Sequence, residues 1–333
     1  MDAPTGTLQT PTTLQAAIEF FADEDRCIAY LVQQRWPDGV IICPICNKPG
    51  PRYLANQRRF ECKSKHPRRQ FSVKVGTIFE DSPIPLKSWL LAMWQISNCK
   101  NGISSYELAR ALGVTQKSAW FMNHRIRLAM QDKTHGSGQF GTDGAEVEVD
   151  ETYIGGKARN MHPRKKHALG VRRGGSFAGK VVVMGLLERK TDKRRSRVRT
   201  MVVPNVRKHQ LHANVAKHVE DGAKVYTDAL MSYRDLGLYY QHQVIDHAEK
   251  YVDGQIHSNG MENYWSLLKR AIAGTYVSVE PFHLFRYLDE QAFRFNERQG
   301  NDADRFSRTL GQVVGRRVTY EELIGASKGE ART

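Results

Sequence analysis

The 333-residue chain has no run of about 18 uncharged apolar residues, the length that a membrane-spanning helix needs. Its longest apolar stretch, around Trp89–Ile96, is too short to cross a bilayer, so no membrane partner is expected. Residues Met1–Thr13 are small and polar, with neither a basic start nor an apolar core, so no secretion signal is read and a cytoplasmic setting close to the nucleoid is expected. Cysteine is scarce: five residues, an odd number, do not make the framework of a disulfide-stapled scaffold. There is no internal repeat and no coiled-coil or collagen-like periodicity. A hydrophobic fraction of 40% excludes a wholly disordered chain. At roughly 100–200 residues per domain, this length predicts two or three domains, each with a real core.

What is in excess is positive charge, and it is concentrated. The net charge is +15, and between Gly156 and Lys208 there are 17 Lys and Arg residues against two acids, Glu188 and Asp192. The remaining 33 basic and 33 acidic residues balance. A basic segment of this density points to a polyanion, most simply nucleic acid. Lys157, Arg164, Lys165 and Lys166 are the candidate phosphate contacts, in a Gly-rich context that could follow a backbone. A solvated basic loop is the alternative.

Apolar spacing and turn residues divide the chain into five parts. Residues 1–35 form a helical segment with an amphipathic helix over Leu14–Gln34, and 36–82 a small cysteine-containing region of short strands. Residues 83–135 are helical, with a buried helix at Leu86–Asn98 and a helical pair beyond it. In 140–300, strands at Ala145–Gly156, Gly179–Leu187, Arg197–Val203 and Lys224–Thr227 mix with helices at His209–Val219, Gly260–Ala273 and Pro281–Glu297. That mixture predicts an α/β domain with a mixed sheet flanked by helices. Residues 301–333 read as a partly disordered C-terminal helical tail.

Three constellations carry chemistry. Cys43-Pro-Ile-Cys46 is a tight turn that can aim two thiolates at one metal, and Cys62 and His66 follow with three residues between them. Two such pairs of soft or borderline ligands suit a closed tetrahedral structural Zn2+ site, with His66 in place of the second Cys of a common zinc ribbon's last pair. Cys27 and Cys99 sit in helical patterns as packing residues. Next, Ser104-Ser105-Tyr106-Glu107 offers a helix cap, Gly113 a turn and Thr115 a second cap. This order fits a helix-turn-helix whose second helix would enter the major groove of double-stranded DNA. Gln116, Lys117, Asn123, His124, Arg125 and Arg127 are its candidate exposed residues; a plain helical hairpin is the alternative.

The third constellation is a set of acids. Asp150 lies in the strand Val147-Glu148-Val149-Asp150-Glu151, Asp228 ends the strand Val225-Tyr226-Thr227-Asp228, and Glu262 opens a helix. Lys269, seven residues after Glu262, falls on the same helix face. Two strand carboxylates and a helix carboxylate can converge on a pair of divalent ions about 4 Å apart, as in two-metal phosphoryl transfer. Hard oxygen ligands of this kind select Mg2+ or Mn2+, and Lys269 would hold a phosphate beside them. Ordinary surface acids are the alternative.

These motifs together resemble the DDE-type transposases of bacterial insertion sequences, the ISXO-like group related to eukaryotic Merlin elements. The resemblance rests on Cys43–Cys46, Gln70–Glu80, Val149–Lys157, Tyr226–Asp228, His257–Lys269 and Arg286–Asn296, spread over most of the chain. It implies an RNase H-like catalytic domain over 140–300, a zinc ribbon over 36–82 and a helix-turn-helix for terminal repeats over 83–135. It also implies metal-dependent cut-and-paste movement of DNA, with transposon ends and target as partners. By motif, Asp150 and Asp228 are the first and second acids. Members of the group carry an acid or Asn at the third position, and both Asn259 and Glu262 lie in the motif. Glu262 is preferred, because its spacing to Lys269 fits and carboxylate binds Mg2+ better than amide. Joining two DNA ends in one assembly implies a homodimer or higher oligomer. A non-catalytic DNA-binding remnant and an RNase H-like nuclease are the competing functions.

Overall fold

The computed structural model describes residues 8–131, 138–156, 163–164, 179–245 and 259–325. The chain divides into two compact units, one of Met1–Gln131 with Arg298–Thr333 and the other of Asp132–Glu297. Among the described residues, no helix is long and apolar enough to cross a membrane.

The first unit begins with helices α1 (Leu14–Phe20) and α2 (Glu24–Arg35). The sequence suggested one helix here. The break arises because the Asp23 side chain accepts from the Asp25 amide and so starts a new helix, while Phe21 turns fully inward. Strands β1 (Arg52–Leu54), β2 (Arg59–Glu61) and β3 (Gln70–Phe71) form a small antiparallel sheet in that order. Helix α3 (Leu86–Asn98) is almost wholly buried, as its apolar run predicts. Helix α4 (Ser105–Leu112) starts in a Ser104/Glu107 capping box and stops at Gly113, whose φ of 65° is a left-handed conformation that glycine adopts without strain. Helix α5 (Gln116–Met130) follows, capped by Thr115.

The C-terminal segment completes this unit. Helix α9 (Asp302–Gly311), with its own Asn301/Asp304 capping box, buries Phe306 against Phe21, Tyr30 and Trp94 at ring-centroid distances of 5.7, 6.4 and 5.2 Å. The Ser97 and Thr309 hydroxyls hydrogen-bond at 3.0 Å. A last short helix, α10 (Tyr320–Leu323), follows. What reads as a tail in sequence thus contributes to a core as far as Leu323, and the residues from 326 on lie outside those described.

The second unit is built on a five-stranded sheet in the order β6-β5-β4-β7-β8. Its strands are β4 (Glu146–Ile154), β5 (Val181–Glu188), β6 (Arg197–Val203), β7 (Lys224–Asp228) and β8 (Gln241–Ile245). The pairs β4–β5 and β5–β6 are antiparallel, whereas β4–β7 and β7–β8 are parallel. Side chains alternate across the sheet. Val147, Val149, Met184, Leu186 and Val225 face Leu211 and Val215 of α6 (Lys208–His218). Val183, Leu187 and Ile154 face Met261, Tyr264, Trp265 and Leu268 of α7 (Asn259–Ala271) and Leu284, Leu288 and Phe295 of α8 (Leu284–Asn296). A mixed sheet flanked by helices is compatible with the RNase H-like domain expected from the sequence. At the β6 edge, the Asn296 side chain accepts from the Val198 amide at 2.7 Å and donates to its carbonyl at 3.1 Å, pinning the end of α8.

Helix α7 approaches the sheet so closely that Gly185 of β5 has no room for a side chain. A Cβ there would lie 2.2 Å from Met261 Cε and 2.7 Å from the Trp265 ring. Gly185→Ala is therefore expected to destabilise the second unit by about 1–3 kcal/mol through overpacking, and Phe306→Ala the first by about 3–5 kcal/mol through a cavity. Native-state hydrogen exchange checks both, since each substitution should lower protection in its own unit and leave the other unchanged.

Candidate metal centre and carboxylate site

The first site is assembled from a turn and a strand end. The Asn47 amide donates to the Cys43 carbonyl at 2.9 Å, closing the turn that turns both thiols inward, and Asn47 itself sits at φ 56°. Cys62 directly follows β2 and is held by its backbone N–H, which donates to the Arg69 carbonyl at 2.9 Å. The result is a cluster of Cys43, Cys46, Cys62 and His66 whose ligand atoms all lie within 4.8 Å of one another. Cys46 and Cys62 sulfurs are 3.5 Å apart and Cys43 Sγ is 3.6 Å from His66 Nε2. Zn–S bonds of ~2.3 Å in a tetrahedron put sulfurs about 3.8 Å apart, so these edges suit a shared zinc ion, and they are much too long for a disulfide.

The local electrostatics favour the thiolate of Cys62. The Cys62 thiol is pulled down to about 6, first by the Ser64 amide that points at its sulfur and then by His66 and the other two thiols. The His66 Nδ1–H donates to the Pro67 carbonyl at 2.7 Å, which leaves the Nε2 lone pair aimed at the sulfurs. Cys27 behaves as a packing residue: it is fully buried, its thiol is pushed up to about 12 chiefly by burial, and it donates to the Phe21 carbonyl.

The second site lies at the ends of β4 and β7. Their parallel register ends with Glu148 opposite Tyr226, so Asp150 and Asp228 each lie two residues beyond the last matched pair. Both face the side that α7 covers. Asp150 Oδ2 accepts the Trp265 indole N–H at 2.9 Å, and Oδ1 accepts the Glu151 amide at 2.8 Å. Burial raises the Asp150 carboxyl to about 6 against these hydrogen bonds, and the negative charges of Asp228 and Glu262 push in the same direction. The three sequence-predicted acids thus feel one another. Asp228 is half-buried, with Oδ1 accepting the Leu230 amide at 3.1 Å, and Glu262 is exposed in the first turn of α7, three residues before Trp265. Asn259 and Lys269 lie at the two ends of the same helix, both exposed.

A fourth acid escaped the sequence reading. Glu151 faces the opposite side of β4 from Asp150 and receives a hydrogen bond from the Tyr233 hydroxyl. Burial first, then the charges of Asp150 and Asp228, raise its carboxyl to about 9. Its position in the motif next to Asp150 was visible, but only the neighbouring Tyr233 and the strand-end crowding distinguish it from a surface acid.

The expected DNA-reading face of α5 needs correction. Gln116 donates to the Ser105 hydroxyl at 2.8 Å, joining α5 to α4, and Lys117 is exposed with its ammonium 4.5 Å from the Tyr320 ring centroid. Asn123 and Arg125 are buried rather than exposed, as are His124 and Arg127. Asn123 donates to the Ile103 carbonyl, and the Arg125 guanidinium donates to the carbonyls of Ile78, Glu80 and Val318. Arg125 is therefore a hub for loop backbone: a guanidinium with five donors can satisfy several buried carbonyls at once.

The basic segment also divides. Arg189 pairs with Glu146 and Glu148, Arg194 with Asp143 and Arg197 with Glu188, so part of the excess is bound internally. Arg164 is exposed, while Lys157, Lys165 and Lys166 lie outside the described residues.

Residues 142–296 match a family described as an ISXO2-like transposase domain, and residues 22–64 match a transposase zinc-ribbon domain. His66 lies just beyond the second match. An uncharacterized protein in transposable element ISH50 of Halobacterium salinarum is 28% identical over 266 residues, covering 76% of this chain and 84% of that protein. An uncharacterized transposase-like protein of Haemophilus influenzae is 32% identical over 101 residues, 30% of this chain and 81% of its own length. With a ribbon-type Cys3His cluster in one unit and strand-end carboxylates in the other, the chain belongs to the ISXO2-like transposases of insertion sequences.

Proposed function

We propose that this transposase cleaves DNA at the ends of its element and joins those ends to a target in a metal-dependent cut-and-paste reaction. The single observation that carries this reading is the burial of Asp150 among like charges. Its carboxyl is raised to about 6 with Asp228 and Glu262 both contributing. Carboxylates gathered at one place offer the hard oxygen donors that suit divalent cations. Mg2+ or Mn2+ held by Asp150, Asp228 and Glu262 would activate the attacking water or 3′-hydroxyl and stabilise the leaving oxygen.

The protein's own groups prepare that chemistry. The Trp265 indole and the Glu151 amide hold the two Asp150 oxygens in place, leaving lone pairs for a cation. Lys269, exposed two turns beyond Glu262, would take a phosphate of the DNA backbone. Glu262 serves as the third acid in preference to Asn259, because its charge is felt at Asp150. In the first unit, the ribbon would hold Zn2+ through Cys43, Cys46, Cys62 and His66. The α4–α5 hairpin would act as a helix-turn-helix, with Lys117 and the N-terminal end of α5 toward DNA and the rest of α5 committed to the core. The exposed part of the basic segment would follow phosphates, with binding that falls steeply as salt rises. Bringing two ends together calls for at least two copies of the chain.

Asp150→Asn should lower cleavage of labelled terminal-repeat DNA in Mg2+ by on the order of 10³-fold, the scale of a lost electrostatic contact in a transition state. Gel-shift binding of the same DNA should be unchanged. Retained cleavage would remove Asp150 from the site, whereas wild-type binding without any cleavage would identify a DNA-binding remnant. Cleavage without end joining would identify a nuclease. Cys43→Ser should reduce bound zinc, measured by elemental analysis, from about one ion per chain to none, and should loosen the ribbon. Unchanged zinc would refute the ligand assignment.

A further inference from the structure

Two of the three acids sit on paired strands, whose backbone hydrogen bonds set their alignment. The third, Glu262, comes from a helix, which can slide or turn over a sheet. One residue of helix register is a 1.5 Å rise and a 100° rotation, far more than a Mg2+ site with bonds of 2.0–2.1 Å tolerates. Something polar and directional must hold α7 in register.

A buried pair does this. Glu148 lies on the same face of β4 as Asp150, two residues before it, and is 1% exposed. Its Oε2 accepts the backbone N–H of Met261, the residue before Glu262, at 2.9 Å. Its Oε1 accepts Arg189 Nε at 2.8 Å. Arg189 also donates to Glu146 Oε2 at 2.8 Å and lies 4.2 Å from the ring centroid of Tyr226, two residues before Asp228. The pair therefore touches all three elements that carry the acids, within two residues of each one.

Gly260 supports the same assignment. Glycine inside a helix costs roughly 0.5–1 kcal/mol relative to alanine, and no left-handed conformation calls for it here. The reason is space, since a Cβ would lie 2.8 Å from Glu148 Oε2 and 3.1 Å from Leu187 Cδ2. The helix has given up a side chain so that the carboxylate can reach its N-terminus, where negative charge is favoured. A buried ion pair is a poor device for stability alone, because apolar residues of similar volume often replace it at no loss.

We propose that Glu148, anchored by Arg189, is a positioning residue that sets the register of α7 and so places Glu262 for metal binding with Asp150 and Asp228. This rests on the reading of those three acids as metal ligands, and the test separates the two. Mn2+ is titrated into the full-length, zinc-loaded chain, and both the number of sites and their affinity are read by electron paramagnetic resonance. Glu148→Gln should keep the number of sites and weaken their affinity about 10- to 100-fold, as for other groups that orient metal ligands. Gly260→Ala, which favours the helix but crowds Glu148, should produce a shift in the same direction, and it decides the matter alone if Glu148→Gln does not fold. Wild-type affinity in both variants would overturn the inference, and so would fewer sites at unchanged affinity, which marks a purely structural role. Asp150→Asn is the control: if it leaves Mn2+ binding of the wild type intact, the ligand assignment itself falls.

Discussion

Burial of carboxylates at the ends of two parallel strands, with their mutual repulsion added to it, is the constraint around which the second unit is organised. Asp150 and Asp228 each follow the last matched pair of β4 and β7 by two residues, and Glu262 is added from α7. A fold left to its own stability would disperse such charges. Here the two strand acids are held by specific donors: the Trp265 indole and Glu151 amide on Asp150, and the Leu230 amide on Asp228. Glycine at 185 and 260 removes the side chains that would keep α7 at a distance. The protein thus carries unfavourable electrostatics at one place, sustained by packing on both faces of the sheet, as functional sites commonly do.

The first unit meets a different difficulty. Strands of three, three and two residues cannot enclose a core of their own. Small modules of this kind depend on a metal or on docking to something larger. The Cys3His cluster supplies the first remedy. The helices beside it are consolidated by α9 from the far end of the chain, through Phe306 against Phe21, Tyr30 and Trp94. Arg125 uses its guanidinium to bind three loop carbonyls within this core.

Much of this was legible in the sequence. Alternation of Val147 and Val149 with acids marked β4, and the apolar run after Pro85 marked α3 almost to the residue. The spacing of Cys43, Cys46, Cys62 and His66 predicted one cluster, because a tight turn permits few other arrangements. Less legible was β8, Gln-His-Gln-Val-Ile, an edge strand whose exposed positions carry no apolar alternation. The polar residues of α5 were misleading for a related reason. Asn123 and Arg125 look like surface groups until the loops that accept their hydrogen bonds are in place, and Val318 is far away along the chain.

The sequence by itself determined the local elements, the metal-ligand spacing, the acids at strand ends and the family resemblance, since each depends on residues close together in the chain. Only the tertiary structure decided which charges are shared. Of the basic segment, Arg189 and Arg197 proved to be part-buried partners of the buried Glu148 and Glu188. Glu148 and Glu151, indistinguishable by spacing from other acids around Asp150, took separate roles on opposite faces of one strand. The physical reason is that desolvation and hydrogen-bond partnership depend on what packs against a side chain, and Met261 and Tyr233 reach β4 from elements 113 and 82 residues distant in sequence.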